Sequence, residues 1–134
     1  MHFSQLSSSV DSTYEGGLEP DRAILRIEMQ GFIDVAMLRE RVESLVHQLD
    51  HEPPAGVLLD LLGVSGYGQG TRTLAREWLL RVQAAGVRRV ALVAGSSVLR
   101  TAVAVISGGL HMQLCCFTSV ELATRWLREP TPTN

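Results

Sequence analysis

The chain has 134 residues, 46% of them hydrophobic and 19% charged, with a net charge of -2. That length suits one domain burying roughly two-thirds of its unfolded surface; the composition excludes a disordered chain, and the lack of a basic excess argues against general nucleic-acid affinity. All 12 basic residues are arginine, which excludes every mechanism that needs a lysine.

Residues 1–11 are serine-rich and polar and read as a flexible arm, with Tyr14 opening a short edge strand. They have neither the basic start nor the long apolar run of a signal peptide. Arg22 to Gly31 alternates, with Ala23, Leu25, Ile27 and Met29 on one side and Ile24, Arg26, Glu28 and Gln30 on the other. Period two predicts a half-buried strand. A helix follows, with Asp34 as its N-cap and Val35, Leu38, Val42, Leu45, Val46 and Leu49 as its apolar stripe; Pro53 and Pro54 end it. "AGVLLDLLGV" is a continuous apolar run, as in a central strand covered on both faces, with Asp60 near its end.

"GVSGYGQGT" leads from that strand to a second helix, with Leu74, Ala75, Trp78, Leu79 and Val82 inward, Thr71 as its N-cap and Gly86 as its stop. "VRRVALVAG" is another buried strand. "SSVLRTAVAVISGGL" is a third helix capped by Ser96 or Ser97 and ended by Gly108 and Gly109, and "HMQLCCF" is the last strand. The final helix starts at Thr118 or Ser119; Thr118 with Glu121 fits a capping box. The domain spans 12–128, with a disordered tail over 129–134. Alternating strands and helices predict a mixed, mostly parallel α/β sheet of about five strands and four helices, the first strand antiparallel at an edge.

The glycine loop invites comparison with phosphate sites. Gly63 and Gly68 have phosphate-loop spacing, but Gln69 stands where the lysine belongs. Gly66 and Gly68 begin a dinucleotide fingerprint, but Thr71 replaces its third glycine, and no acid ends the next strand. Glycines that grant positive φ and close backbone approach are the plainer account, and no cofactor is expected.

Asp60 either binds a ligand or, more plainly, accepts from loop N–H groups. Ser96 and Ser97 either hold an anion, with Arg100 a turn away, or cap their helix. His47 and His51 share a helix face without a third ligand, so no metal is expected. Adjacent Cys115 and Cys116 read as reduced thiols, core-facing or strand-borne, of a reducing compartment. Trp78 and Trp126 read as core or interface anchors. Arg72, Arg76, Arg81, Arg88 and Arg89 are placed to form a local basic surface interrupted by Glu77. No convergent acid, base and nucleophile set exists, so an enzyme is not expected.

"VLLDLLGVSGYGQGTRTLAREWL", "GVRRVALVAGSSVLRTAVAVISGG" and "LCCFTSVELATRWL" together resemble a STAS domain, the fold of bacterial anti-sigma factor antagonists. The likeness is closer to the SpoIIAA-like group, with its lipid-transfer-like kin, and covers about Ala23 to Leu127. Its hallmarks are the strand bearing Asp60, the helix start "SSVLR" and the closing "FTSVELATRWL". In the antagonists, the loop after the Asp-bearing strand carries a serine phosphorylated by a partner kinase, at a helix N-terminus. The matching positions here are Gly68, Gln69, Gly70 and Thr71, so the usual phosphoacceptor is missing.

The resemblance implies a non-catalytic, cytoplasmic protein-interaction module, able to form a homodimer. Its partner surface would be Gly66, Tyr67, Gly68, Gln69, Gly70, Thr71, Arg72 and Arg76, with Tyr67 exposed between glycines. Asp60, Ser96 and Ser97 are secondary candidates for an anion or loop contact. The alternative is a small hydrophobic-ligand or lipid carrier, which requires a cavity. No apolar run reaches the ~18 residues of a membrane span.

Overall fold

The computed structural model describes residues 8–15, 24–51 and 53–129. The strands are β1 (Ser8–Glu15), β2 (Ile24–Ile33), β3 (Gly56–Tyr67), β4 (Arg89–Val93) and β5 (Gln113–Phe117). The helices are α1 (Val35–His51), α2 (Thr71–Ala84), α3 (Ser97–Ile106) and α4 (Val120–Arg128). The five strands lie in chain order; β1 pairs antiparallel with β2, and β2 to β5 are parallel. The predicted mixed α/β architecture is the one observed. β1 begins within the stretch read as an arm; of that arm, residues 1–7 lie outside the described residues, as do 130–134 of the tail.

Strand alternation divides the core between the two sheet faces. Leu25, Ile27, Val57, Leu59, Val90 and Leu92 join Leu45 and Leu49 of α1, Trp78, Leu79 and Val82 of α2, and Val103 of α3 in one cluster. Ile24, Leu58, Ala91 and Val93 face the other way, against Ala123, Val120, Trp126 and Leu127 of α4. Ile24, placed by the sequence on the polar side of β2, is therefore buried by α4. Each fully buried aliphatic side chain contributes about 1.5–3 kcal/mol.

Asp34 caps α1 as expected, its Oδ1 accepting from the Met37 N–H at 2.8 Å. Gly86, at φ 95°, stops α2: its own N–H reaches Gln83 O, and the Val87 N–H reaches Val82 O. This pair of bonds closes a left-handed helix terminator. Ser96 caps α3, accepting from the Val98 and Leu99 N–H groups. At α4 the cap is Ser119, which accepts from the Leu122 N–H at 3.2 Å, and the capping box proposed for Thr118 is not used.

Candidate functional site

The segment read as a glycine loop is largely strand. β3 continues to Tyr67 because its far half pairs with the end of β2: Gly63 faces Gln30, Gly66 faces Phe32 and Tyr67 faces Ile33. Positive φ, expected to explain these glycines, occurs at Gly70 alone of the four, at 89°. Close approach holds at Gly63, where a Cβ would come to 3.1 Å from Gln30 Cγ, whereas Gly66 and Gly68 leave room for ordinary contact with Phe32. A Cβ on either would meet the Phe32 ring at 3.4–3.5 Å. Phe32 is 51% exposed. It is the site residue that sequence reasoning missed, and the only signal was an aromatic next to Gly31, itself at φ 78°.

Gly70, not Thr71, occupies the N-cap of α2, without a side-chain cap bond. Thr71 is the first helical residue; it is 4% exposed, and its hydroxyl donates to Gly68 O at 2.6 Å. Gln69 and Arg72 are exposed at the surface. Tyr67, expected to be exposed, is half-buried against Ile33, Leu38 and Leu74. Arg76 donates through Nη1 to Ile106 O and Gly108 O, both at 2.7 Å, and so caps the end of α3. A cation suits those carbonyls, which carry the negative end of the helix dipole.

Three separate candidates converge. Tyr67 and Arg72 line one groove with Ser97, Val98, Thr101 and Val105 of α3, about 250 Å³ in volume. Val98 and Val105 are 64% and 61% exposed, so the groove has an apolar wall beside a guanidinium. Ser96, by contrast, is occupied in capping. Asp60 lies on the opposite face of the sheet, where Arg26 Nη2 reaches its Oδ2 at 3.2 Å and the Leu62 N–H reaches its Oδ1 at 3.1 Å. Its charge is thereby paired and bonded, as burial requires.

The arginines do not form one basic surface. Arg89 is 8% exposed and faces α4, with its guanidinium 5.1 Å from the Trp126 ring centroid; it donates to Gln113 Oε1, Trp126 O and Glu129 O. Cys115 is half-buried and Cys116 exposed, both as free thiols. Partial burial pushes the Cys116 thiol pKa up, Arg100 draws it down, and Cys115 adds a smaller upward push. His47 and His51 stack at 5.9 Å, and no group of three metal-ligating side chains occurs among the described residues.

Beneath Tyr67 lies a second space, of about 110 Å³, between the sheet and α1, α2 and α3. Met29, Leu45, Leu59, Trp78, Leu92 and Val103 are among its mostly apolar wall residues, and Tyr67 and Arg72 also line it. No helix of the described residues is long and apolar enough to cross a membrane.

A SpoIIAA-like family model matches residues 24–128. No curated protein matches the chain significantly. An uncharacterised protein with a SpoIIAA-like fold from Shewanella loihica is similar in structure, with a TM-score of 0.68 and 15% identity over 90% of this chain and 94% of that one. The phosphorylated Bacillus cell fate determinant SpoIIAA has a TM-score of 0.62 and 14% identity, covering 87% of this chain and 99% of its own. An anti-sigma factor antagonist from Mycobacterium paratuberculosis has a TM-score of 0.61 and 11% identity, covering 90% and 96%. At such identities these likenesses establish the shared fold.

Proposed function

The chain belongs to the SpoIIAA-like family, and from that premise we propose a non-catalytic, cytoplasmic regulatory module that docks a protein partner at the start of α2. The docking surface is Gly66 to Arg72 with the adjoining groove wall of α3. Anti-sigma factor antagonists of the same fold support a protein partner. Arg76 supports the surface from behind, through its bonds to the end of α3.

The observation that carries the reading is the state of Thr71. It is the nearest hydroxyl to the place where the resembling antagonists hold their phosphoserine, yet it is buried and already donates to Gly68 O. A kinase needs an accessible hydroxyl. Docking here therefore proceeds without phosphate control at this position, through Gln69, Arg72 and the half-buried Tyr67. Self-association belongs to the same proposal; light scattering tests it against the 14.6 kDa of a single chain.

Affinity capture from the natural host tests the docking surface. Wild type retains a partner that Tyr67→Ala and Arg72→Glu lose at least tenfold, with both variants shown folded by circular dichroism. Identical captured sets for all three proteins would contradict the proposal. A second reading, the small hydrophobic-ligand carrier, is favoured by one observation: the apolar cavity beneath Tyr67.

A further inference from the structure

Trp78 of α2 is 4% exposed, and its indole Nε1 is buried without a hydrogen-bond acceptor among the described residues. Native folds leave few buried donors unpaired, and each one calls for an explanation. Trp78 also lines the apolar cavity. The polar groups of that wall do not answer it. The Thr71 and Tyr67 hydroxyls have lone pairs to offer, but neither is bonded to the indole, and Arg72 can only donate.

The cavity's size and chemistry restrict what could enter. An apolar protein cavity of about 150 Å³ stays dry and binds benzene. The space here is about 110 Å³, suited to a ring or short branched chain and too small for a long acyl chain. Arg72, an exposed residue shared with the outer groove, lies at the rim. A carboxylate deep inside would lose its hydration with no cation to replace it. A neutral molecule has no such cost.

We propose that this cavity binds a small neutral apolar molecule with one hydrogen-bond acceptor, which receives the Trp78 Nε1–H once a small shift of the indole opens that sealed atom to the cavity. The assignment rests on the carrier reading and adds the size, charge and polar anchor of the ligand. Roughly four to six heavy atoms fit the space, since benzene's six occupy the larger cavity of the comparison. Tyr67 and Arg72 border both this cavity and the docking groove, so a ligand would lie directly under the proposed docking surface.

Cyclopentanone and methylcyclopentane are the probes. They match in ring and heavy-atom count, and only the ketone offers an acceptor. In nitrogen–proton correlation spectra of the full chain, cyclopentanone shifts the Trp78 indole resonance saturably; the resonance is identified by its loss in Trp78→Phe. Titration followed on methyl resonances shows that variant binding cyclopentanone about fivefold more weakly, the worth of one net hydrogen bond, and methylcyclopentane as wild type does. Should Trp78→Phe fail to fold, the wild-type titration still decides, with the resonance assigned by triple-resonance experiments. An unmoved indole resonance at saturation, or equal loss of both probes in the variant, overturns the proposal. Binding of hexadecanoate with neither ring compound bound overturns the size and anchor while leaving the carrier reading intact. No binding by any of the three overturns both.

Discussion

Gly70 turns the end of β3 into α2 by adopting φ 89°. A side chain there is strained whatever the space, at a cost of about 1–2 kcal/mol. Gly70→Ala is expected to lose that much in urea unfolding. Gly66→Ala is expected to cost under ~1 kcal/mol, since its Cβ makes only an ordinary contact with the Phe32 ring. Arg89 is the opposite case, a charge on which several groups depend. Its removal strips donors from Trp126 O, Glu129 O and Gln113 Oε1, so Arg89→Ala is expected to cost about 3 kcal/mol by the same measurement. Cys116 gives a pH signature. Its raised pKa, caused first by burial, keeps the folded thiol protonated to higher pH than in the unfolded chain. Folding is unaffected below the unfolded thiol's pKa and weakens as pH rises from there through the folded value. The pH midpoint of Cys116 alkylation, read by peptide mass spectrometry, is expected to lie above that in urea.

The elements were legible where periodicity and punctuation agree. Helix spacing from Val35 to Leu49, the apolar run at Val57 to Leu59 and the stop at Gly86 all read directly from the sequence. The second half of β3 did not, because glycines carry no alternation and this stretch becomes strand only by pairing with Gln30 to Ile33. The start of α4 was ambiguous for a different reason. Thr118 and Ser119 are both cap formers, and tertiary packing of Ala123 against the sheet sets the helix phase. Ser119→Ala is accordingly expected to cost about 1 kcal/mol and Thr118→Ala close to nothing, a contrast that thermal unfolding resolves.

At the scale of the whole fold, among the described residues, three helices cover one face of the sheet and one helix covers the other. The strand order and the antiparallel edge follow from the alternation of elements, so the architecture was within reach of the sequence. The site was less so. The groove joining Tyr67 and Arg72 to Ser97 and Val105 depends on how α2 and α3 lie together, and no local pattern encodes that. Nor does spacing reveal that Arg76 and Arg89, neighbours of Arg72 in sequence, are spent on two helix ends.

The central claim is that a partner docks on the start of α2. Hydrogen–deuterium exchange of the chain alone and with its captured partner tests it most directly. The expected result is slowed exchange over Gly66 to Arg76, with α4 unchanged. Protection confined to α4 or β5, with Gly66 to Arg76 exchanging as in the free chain, would contradict it.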